Sequence, residues 1–368
     1  MTPSTSSGPP SSDPRRSGRS PASEGRRATR GPDGAMPDAG RGLEQIAGHP
    51  LPQRLAEAEE PAVVVWRDEV LPGLVEGLLS EWSLAAQAPF TPGGSTAWVA
   101  PVTGAGGTEL VLKVAWAHDE SRDEAAGMAV WQGWGAARLL HAELRGQSSL
   151  LLMERVSPGT PLSQSLSRTA RDEVIAALLK RLWSAPIPPS TALRPLTRMC
   201  EWWADEAAHR LAAAAAGVTG HEEPVLPAGL VEHGLGLFRQ LPRGWDGEPA
   251  LLATDLHPDN VLLSCPDRDG ALTAAGGVGK VGAVGGSWVL IDPKPYLGDP
   301  HYDVLQHMFN DVGRLTADPS AFAERMARLT GLDPRRVRRW LLARCVQEAG
   351  VIEGASVAAL RLAADGIR

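Results

Sequence analysis

Two stretches, LLATDLHPDNVLLS (251–264) and SWVLIDPKPYLGDPHYD (287–303), decide how this chain is read. Each opens on a short apolar run of the length and composition of a buried strand. Each then breaks into a polar loop, where proline forbids continuing a helix or a central strand. Asp255, Asn260 and Asp292 therefore stand at strand ends, where loops present side chains on a rigid support. The connection between the two, CPDRDGALTAAGGVGKVGAVGG (265–286), is glycine-rich and reads as a flexible surface excursion. Its GGVGK is only a partial match to a phosphate-binding P-loop. The full pattern needs glycine where Ala274 stands and serine or threonine where Val281 stands, so it is set aside.

Upstream the pattern is mixed. LLSEWSLAAQAPFTPGGSTAWVAPV (78–102) reads as a helix, then a strand interrupted by Gly93 and Gly94. TELVLKVAWA (108–117) is a second, β-rich run, and GAGG (104–107) between the two is a hairpin-type turn. Asp119 is placed to cap a helix through about Trp134, with Ala125, Met128 and Ala129 on its apolar face. LLLMERV (150–156) is another strand, and SPGTPL breaks it. Helical stretches follow at 168–184, 197–216 and 227–241. A small, mainly β first half and a larger, mainly α second half make an α+β, two-lobed outline, with lobes at 43–156 and 157–368.

Residues 1–42 are Ser, Pro, Gly and Arg with almost no large apolar side chain. Such a segment cannot bury enough apolar surface to offset its ordering entropy, so it reads as a disordered tail, or as an over-long start before Met36. It lacks the apolar stretch of a signal peptide. Across the 368 residues no run of eighteen apolar residues could span a membrane, and the formal charge of −7 argues against nucleic acid or an anionic membrane as partner. Cys200, Cys265 and Cys345 are widely spaced, which excludes a disulfide framework and fits a reducing cytoplasm. Only four of the 36 basic residues are lysines, so each lysine invites a question.

The chemistry lies in the two opening stretches. Asp255 and Asn260 stand five positions apart, the D-x-x-x-x-N spacing of a kinase catalytic loop. In phosphoryl transfer the Asp orients an acceptor hydroxyl and accepts its proton, while the amide oxygen holds Mg²⁺ on the nucleotide. Asp292, directly after WVLI, would be the second Mg²⁺ ligand, a hard oxygen of the kind Mg²⁺ prefers. Lys113 sits within an apolar strand, where an unpaired lysine is almost never buried.

LLATDLHPDNVLL and WVLIDPKPYLGDPHYD resemble the aminoglycoside phosphotransferase superfamily, and in particular its streptomycin 6-kinase and hydroxyurea-resistance branch. That branch carries HGDLHxxNVL followed by IDPKPxxGDPxYD. The likeness extends through VLKVAW, LLLMERVSPGTPL, HMFN and GLDPRRVRRW, covering roughly residues 75–345. The resemblance implies a protein-kinase-like bilobal fold and ATP-dependent phosphorylation of a hydroxyl on a small molecule. It implies Asp255 as catalytic base and Asn260 and Asp292 as Mg²⁺ ligands. Lys113 would bind the α/β-phosphates, with Glu124 as its ion-pair partner. Met153, Glu154 and Val156 would belong to the hinge that receives adenine. Gly93, Gly94 and Ser95 would form the loop over the phosphates, and Asp303 would support the catalytic loop. Where the family has His-Gly before the catalytic Asp, this chain has Ala253 and Thr254. A threonine there is strained if that position has positive φ.

Several residues keep a plainer reading. Glu120 and Asp123 compete with Glu124 by spacing alone. His257 reads as packing beneath the loop and bonding Asp292 or backbone. Asp299 and Asp303 could cap the next helix, and Lys294 is as easily structural as phosphate-binding. In CEWWADE, Trp202 with Glu201 and Asp205 could hold a cationic substrate, although helical spacing favours core packing for some of these. The composite expectation is a Mg-ATP-dependent small-molecule O-kinase, monomer or homodimer, with a streptomycin-like aminocyclitol as acceptor. The alternatives are a kinase for hydroxyurea or a sugar or amine metabolite, and an inactive nucleotide-binding protein. A protein kinase is disfavoured, because GDPHYD follows Asp292 too closely for an activation segment.

Overall fold

A computed structural model describes residues 45–118, 121–215, 224–265 and 286–367. The expectations for the tail, for Asp119 and Glu120, and for the body of the glycine-rich connection lie outside these residues. The first half is built on a five-stranded antiparallel sheet. Its strands are β1 (Ala85–Ala86), β2 (Ala97–Thr103), β3 (Glu109–Trp116), β4 (Leu139–Arg145) and β5 (Ser148–Glu154), in the order β1-β2-β3-β5-β4. The glycines at 93 and 94 lie in the loop that joins β1 to β2 and do not interrupt a strand. The edge strand β4 was not evident from the sequence. Most of its side chains are exposed or half-exposed, so it lacks the apolar alternation that reveals a strand.

Side chains of β3 alternate between the two faces of the sheet. Leu112 and Val114 enter a core with Leu71, Val75 and Leu78 of helix α1 (Leu71–Glu81) and the buried Trp98. Val111 and Lys113 therefore face the other way, toward helix α2 (Glu124–Val130), whose Met128 packs with Leu151 and Met153 of β5. Helix α2 is shorter than the sequence suggested. It begins at Glu124 and gives way at Trp131, and its N-cap Asp123 makes no capping bond because that carboxylate is used elsewhere.

The larger half is helical. Helices α3 (Arg168–Trp183), α4 (Leu196–Ala215), α5 (Ala228–Gln240), α6 (Pro319–Thr330), α7 (Pro334–Gln347) and α8 (Ala355–Ala364) share one core. Leu179, Cys200, Phe238, Trp340 and Leu341 are all fully buried there. The α6–α7 corner shows how local sequence sets the path. Gly331 takes φ +81° at the end of α6, the Asp333 carboxylate accepts from the Arg335 N–H, and Pro334 opens α7.

Two small sheets, one of three strands and one of two, carry the site. Strand β8 (Val261–Ser264) pairs with β9 (Ser287–Leu290) and with β6 (Pro158–Pro161), while β7 (Ala250–Leu252) pairs with β10 (Tyr296–Gly298). Register places Val261 opposite Leu290 and Leu252 opposite Tyr296. The loop leaving β7 and the loop leaving β9 are thereby brought side by side.

Candidate active site

The β7–β8 loop begins with a tight turn. The Asp255 N–H donates to the Ala253 carbonyl at 2.7 Å across Thr254, whose φ is +49°. This is a γ-turn with a β-branched residue at its centre, a conformation that costs on the order of 1–3 kcal/mol. Three contacts hold it. The Asp303 carboxylate accepts from the N–H groups of Ala253 (3.0 Å) and Thr254 (2.7 Å), and Thr254 Oγ1 donates to the Lys294 carbonyl. Trp183 Nε1 donates to the same carboxylate at 2.9 Å. Asp303 thus anchors the turn and is not a helix cap. Asp299 does more than cap, for its buried carboxylate accepts from the His301 N–H two residues on at 3.0 Å and also from Trp340 Nε1 and Arg336 Nε, both at 2.6 Å.

The turn leaves the Asp255 side chain mostly enclosed, 17% exposed, with Lys294 Nζ 3.2 Å from its Oδ2. Asn260 Nδ2 donates to the Asp255 carbonyl at 3.1 Å, which orients the amide with its oxygen available to a cation. The Ile291 N–H donates to the Asn260 carbonyl at 2.9 Å, so strand register alone makes Asn260 and Asp292 neighbours. His257 Nδ1 accepts from the Asp259 backbone N–H at 3.3 Å, giving the backbone partner expected of it rather than Asp292. Burial lowers its pKa against the opposing charges of Asp255 and Asp259.

Lys113 meets two carboxylates. Its Nζ lies 2.7 and 2.8 Å from the two Glu124 oxygens and 2.5 Å from Asp292 Oδ1. Burial pulls the ammonium's pKa down, but Asp292 and Glu124 outweigh that and hold Lys113 charged. Burial raises Glu124 to about 7, against the pull of Lys113 and with the Asp292 charge adding to the rise. The Lys113 charge keeps the Asp292 carboxyl low, so that group is ionised. Of the three acids considered for this partnership, Glu124 pairs with Lys113 and Asp123 instead binds Arg194 Nε at 2.7 Å, while Glu120 is not described.

The loop carrying Gly93, Gly94 and Ser95 lies at the tip of the β1–β2 connection. Gly93 has φ +72°, and a Cβ there would fall 2.7 Å from Pro52; Gly94 has no such constraint. Of the segment expected at the hinge, Met153 is buried, Glu154 Oε1 accepts from the Arg138 N–H at 2.9 Å, and Val156 packs against the Met128–Leu151 cluster. The acidic, tryptophan-bearing face of α4 is occupied by the chain's own arginines. Glu201 pairs with Arg243 at 2.6 Å and Asp205 with Arg239 at 2.7 Å, while Trp202 is exposed. The ring that faces inward is Trp203, and the cation over it is the chain's own Arg344, 5.1 Å from its centroid.

Two supporting residues were missed in the sequence. Gly127, one turn after Glu124, packs so closely on Pro295 that a Cβ would lie 2.3 Å from the proline ring. Arg194 ties Asp123, the neighbour of Glu124, to the segment before α4. A glycine in mid-helix was a usable signal, since it weakens a helix by ~1 kcal/mol unless packing requires it. The Arg194 pairing spans 71 positions and had none.

A family model described as aminoglycoside/hydroxyurea antibiotic resistance kinase matches residues 81–354, a span that includes every one of these groups except Pro52. The chain belongs to this kinase family. It is a phosphotransferase with an alcohol group as acceptor. A hydroxyurea phosphotransferase of Kitasatospora aureofaciens is 33% identical over 283 residues, 76% of this chain and 72% of that protein. A streptomycin 6-kinase of Streptomyces glaucescens is 30% identical over 294 residues, 76% and 82% of the two chains. Among solved structures, a choline/ethanolamine kinase family protein from Mesorhizobium loti covers 78% of this chain and 90% of its own, with 13% identity and a TM-score of 0.49. No helix among the described residues is long and apolar enough to cross a membrane. As a member of the aminoglycoside/hydroxyurea kinase family, the chain departs from the usual His-Gly at Ala253-Thr254. Its Thr254 carries the positive φ that a glycine would take freely, and the hydroxyl bond to residue 294 compensates.

The donor set suits Mg²⁺. Asn260 and Asp292 offer two hard oxygens, and among the described residues no cluster of three or more His, Cys, Asp or Glu could hold a metal by itself. That is the pattern of a cation bound by few protein ligands, with phosphates and waters completing its shell.

Proposed function

We propose that this protein is a Mg-ATP-dependent O-phosphotransferase acting on a streptomycin-type aminocyclitol. The observation that carries the reading is the convergence of Asp255, Asn260, Asp292 and Lys113 where the β7 and β9 loops meet the sheet. Asn260 and Asp292 would hold Mg²⁺, which when bound draws off charge from the nucleotide phosphates. Lys113, kept charged and immobile by Glu124, would bind the α- and β-phosphates. Met153, Glu154 and Val156 would border the adenine, and Gly93 to Ser95 would cover the phosphates. Asp255 would accept a hydrogen bond from the acceptor hydroxyl and then its proton. The hydroxyl oxygen bonds to phosphorus as the bond to the leaving ADP oxygen breaks. Most of the acceleration would come from positioning and from fixed charge in a partly dry cleft. Glu201, Trp202 and Asp205 are left out of this reading, because both carboxylates already have arginine partners.

The likeness to a hydroxyurea phosphotransferase favours hydroxyurea as the second acceptor to test. The test is a mass-spectrometric phosphotransfer assay with Mg-ATP and a panel of streptomycin-type aminocyclitols, other aminoglycosides, hydroxyurea and simple sugars. Asp255→Asn serves as control. A phosphoryl group gained by an aminocyclitol with the native protein alone supports the reading. Transfer only to hydroxyurea or a sugar replaces the acceptor, and no transfer with no Mg-ATP binding overturns it.

A further inference from the structure

Lys294, the lysine of the IDPKP stretch, is built into this site by both its backbone and its side chain. Its backbone is fastened to the catalytic turn at both ends. Its N–H donates to the Ala253 carbonyl at 2.9 Å, and its carbonyl accepts from Thr254 Oγ1. The side chain then runs to Asp255, with Nζ 3.2 Å from Oδ2 and a third of its surface exposed. Its positive charge also lowers the pKa values of Asp292 and Glu124.

An ammonium 3.2 Å from the proton acceptor is an odd arrangement for the base alone, since it occupies a carboxylate oxygen that the acceptor hydroxyl needs. The arrangement makes sense if the ammonium has a second partner. In the transfer, negative charge spreads over the three equatorial oxygens of a phosphoryl group passing between the nucleotide and the hydroxyl at Asp255. Lys294 is the cation anchored to that turn, on a flexible four-carbon stem with three rotatable donors.

We propose that Lys294 is a catalytic residue that binds the γ-phosphoryl group, leaving Asp255 for it when nucleotide enters. The inference rests on the phosphotransferase reading above. Lys294 neither gives nor takes a proton. It offsets charge on the transferring group while the acceptor proton goes to Asp255, and its departure leaves Asp255 Oδ2 open to the acceptor hydroxyl. Thr254, through its bond to the Lys294 carbonyl, holds the lysine's backbone at a fixed distance from that base.

The experiment compares native protein, Lys294→Met and Lys294→Arg by calorimetric titration with Mg-ADP and with a non-hydrolysable Mg-ATP analogue, and by turnover. Lys294→Met is expected to bind ADP as the native protein does and to lose about tenfold in affinity for the ATP analogue. Its kcat should fall by about 10²–10³, the usual effect of removing one transition-state charge partner. Lys294→Arg should recover part of both losses. Equal weakening of ADP and analogue, or unchanged analogue binding, would overturn the proposal and leave Lys294 a structural partner of Asp255. ADP binding also reports that the variant is folded. If the native protein neither binds nucleotide nor turns over any acceptor, the phosphotransferase reading itself falls, an outcome distinct from a native enzyme that Lys294→Met leaves intact.

Discussion

Two groups of charged side chains in this protein look alike in composition and differ in what they leave open. In the helical half, Asp172 is wholly buried. It binds Arg314 through two bonds (3.0 and 2.9 Å), Arg325 Nε at 2.6 Å and His307 Nε2 at 2.8 Å. Every acceptor site on that carboxylate is used, and three cationic or polar partners surround one acid. In the cleft, Lys113 and Lys294 face Glu124, Asp255 and Asp292, and the Asp292 side chain is half exposed. There three acids meet two lysines, so negative charge is left over for a further cation. Saturation marks the first cluster as structural; the surplus of oxygen marks the second as a place for ligands.

The sharpest way to break this comparison is to exchange the consequences. Asp255→Asn should lower phosphotransfer by about 10²–10⁴, the usual range for losing a general base, with the melting temperature almost unchanged. Asp172→Ala should do the reverse. It leaves two arginines and a histidine around an empty site and should destabilise the fold by ~3–5 kcal/mol, read in denaturant unfolding. An Asp172 variant that folds normally would erase the distinction.

Gly127→Val tests how α2 is seated. The added side chain collides with Pro295, so α2 must move and carry Glu124 from Lys113, at ~1–3 kcal/mol of overpacking and a clear loss of nucleotide affinity. Gly73→Ala in α1 is the control, since nothing lies within 4 Å of a Cβ there. It should be neutral or stabilise by ~0.5–1 kcal/mol in thermal unfolding.

Smaller effects belong to Thr254. Thr254→Ala keeps the positive φ and loses the hydroxyl bond, so it should destabilise by ~1 kcal/mol. Thr254→Gly loses the same bond but relieves the strain, and its melting temperature should lie above that of the alanine variant.

The two regions should also differ in pH response. Burial and its hydrogen-bond partners act on Asp172 in opposite senses, and the bonds from His307, Arg314 and Arg325 win, holding its pKa below the usual carboxylate range. Its stabilisation is present above about pH 4 and is lost as pH falls further. Asp303 is opposite. Burial raises it to about 6 against the bonds from Trp183, Ala253 and Thr254. Its protonated form favours the fold fully below about pH 4, an advantage gone once pH passes about 6. The turn, however, needs the carboxylate as acceptor, so kcat should rise through pH 6 while stability from this group falls. Parallel pH profiles of kcat and unfolding check the two signs.

The strands at 109–116 and 148–154 were legible because a short β-rich apolar run is a property of neighbouring residues. So were helices α3, α4 and α5, within a residue or two at each end. Asp255, Asn260, Asp292 and Lys113 were legible as well, since local motifs and a lysine in an apolar strand are visible without coordinates. Helix α2 was overdrawn although Gly133, at φ +81° just past its end, was a local stop signal. Asp303 was readable both as a support of the catalytic loop and as a cap, because an acid near a helix start looks the same whether it bonds that helix or a turn 50 residues away. Trp202 and Trp203 are adjacent, and only packing showed that the second faces Arg344 and the first faces outward.

Hydrophobic period, turn residues and motif spacing thus determined the α+β architecture and the identity of the cleft residues, because these depend on interactions close along the chain. Tertiary structure decided which acid meets Lys113, why Gly127 is a glycine, how Thr254 is held, and that Lys294 lies on Asp255. Those choices depend on contacts between residues from 11 to nearly two hundred positions apart, as the 179 positions between Lys113 and Asp292 illustrate. Contacts over such separations leave no periodic trace in the chain, and they exist only once the strand pairs have closed.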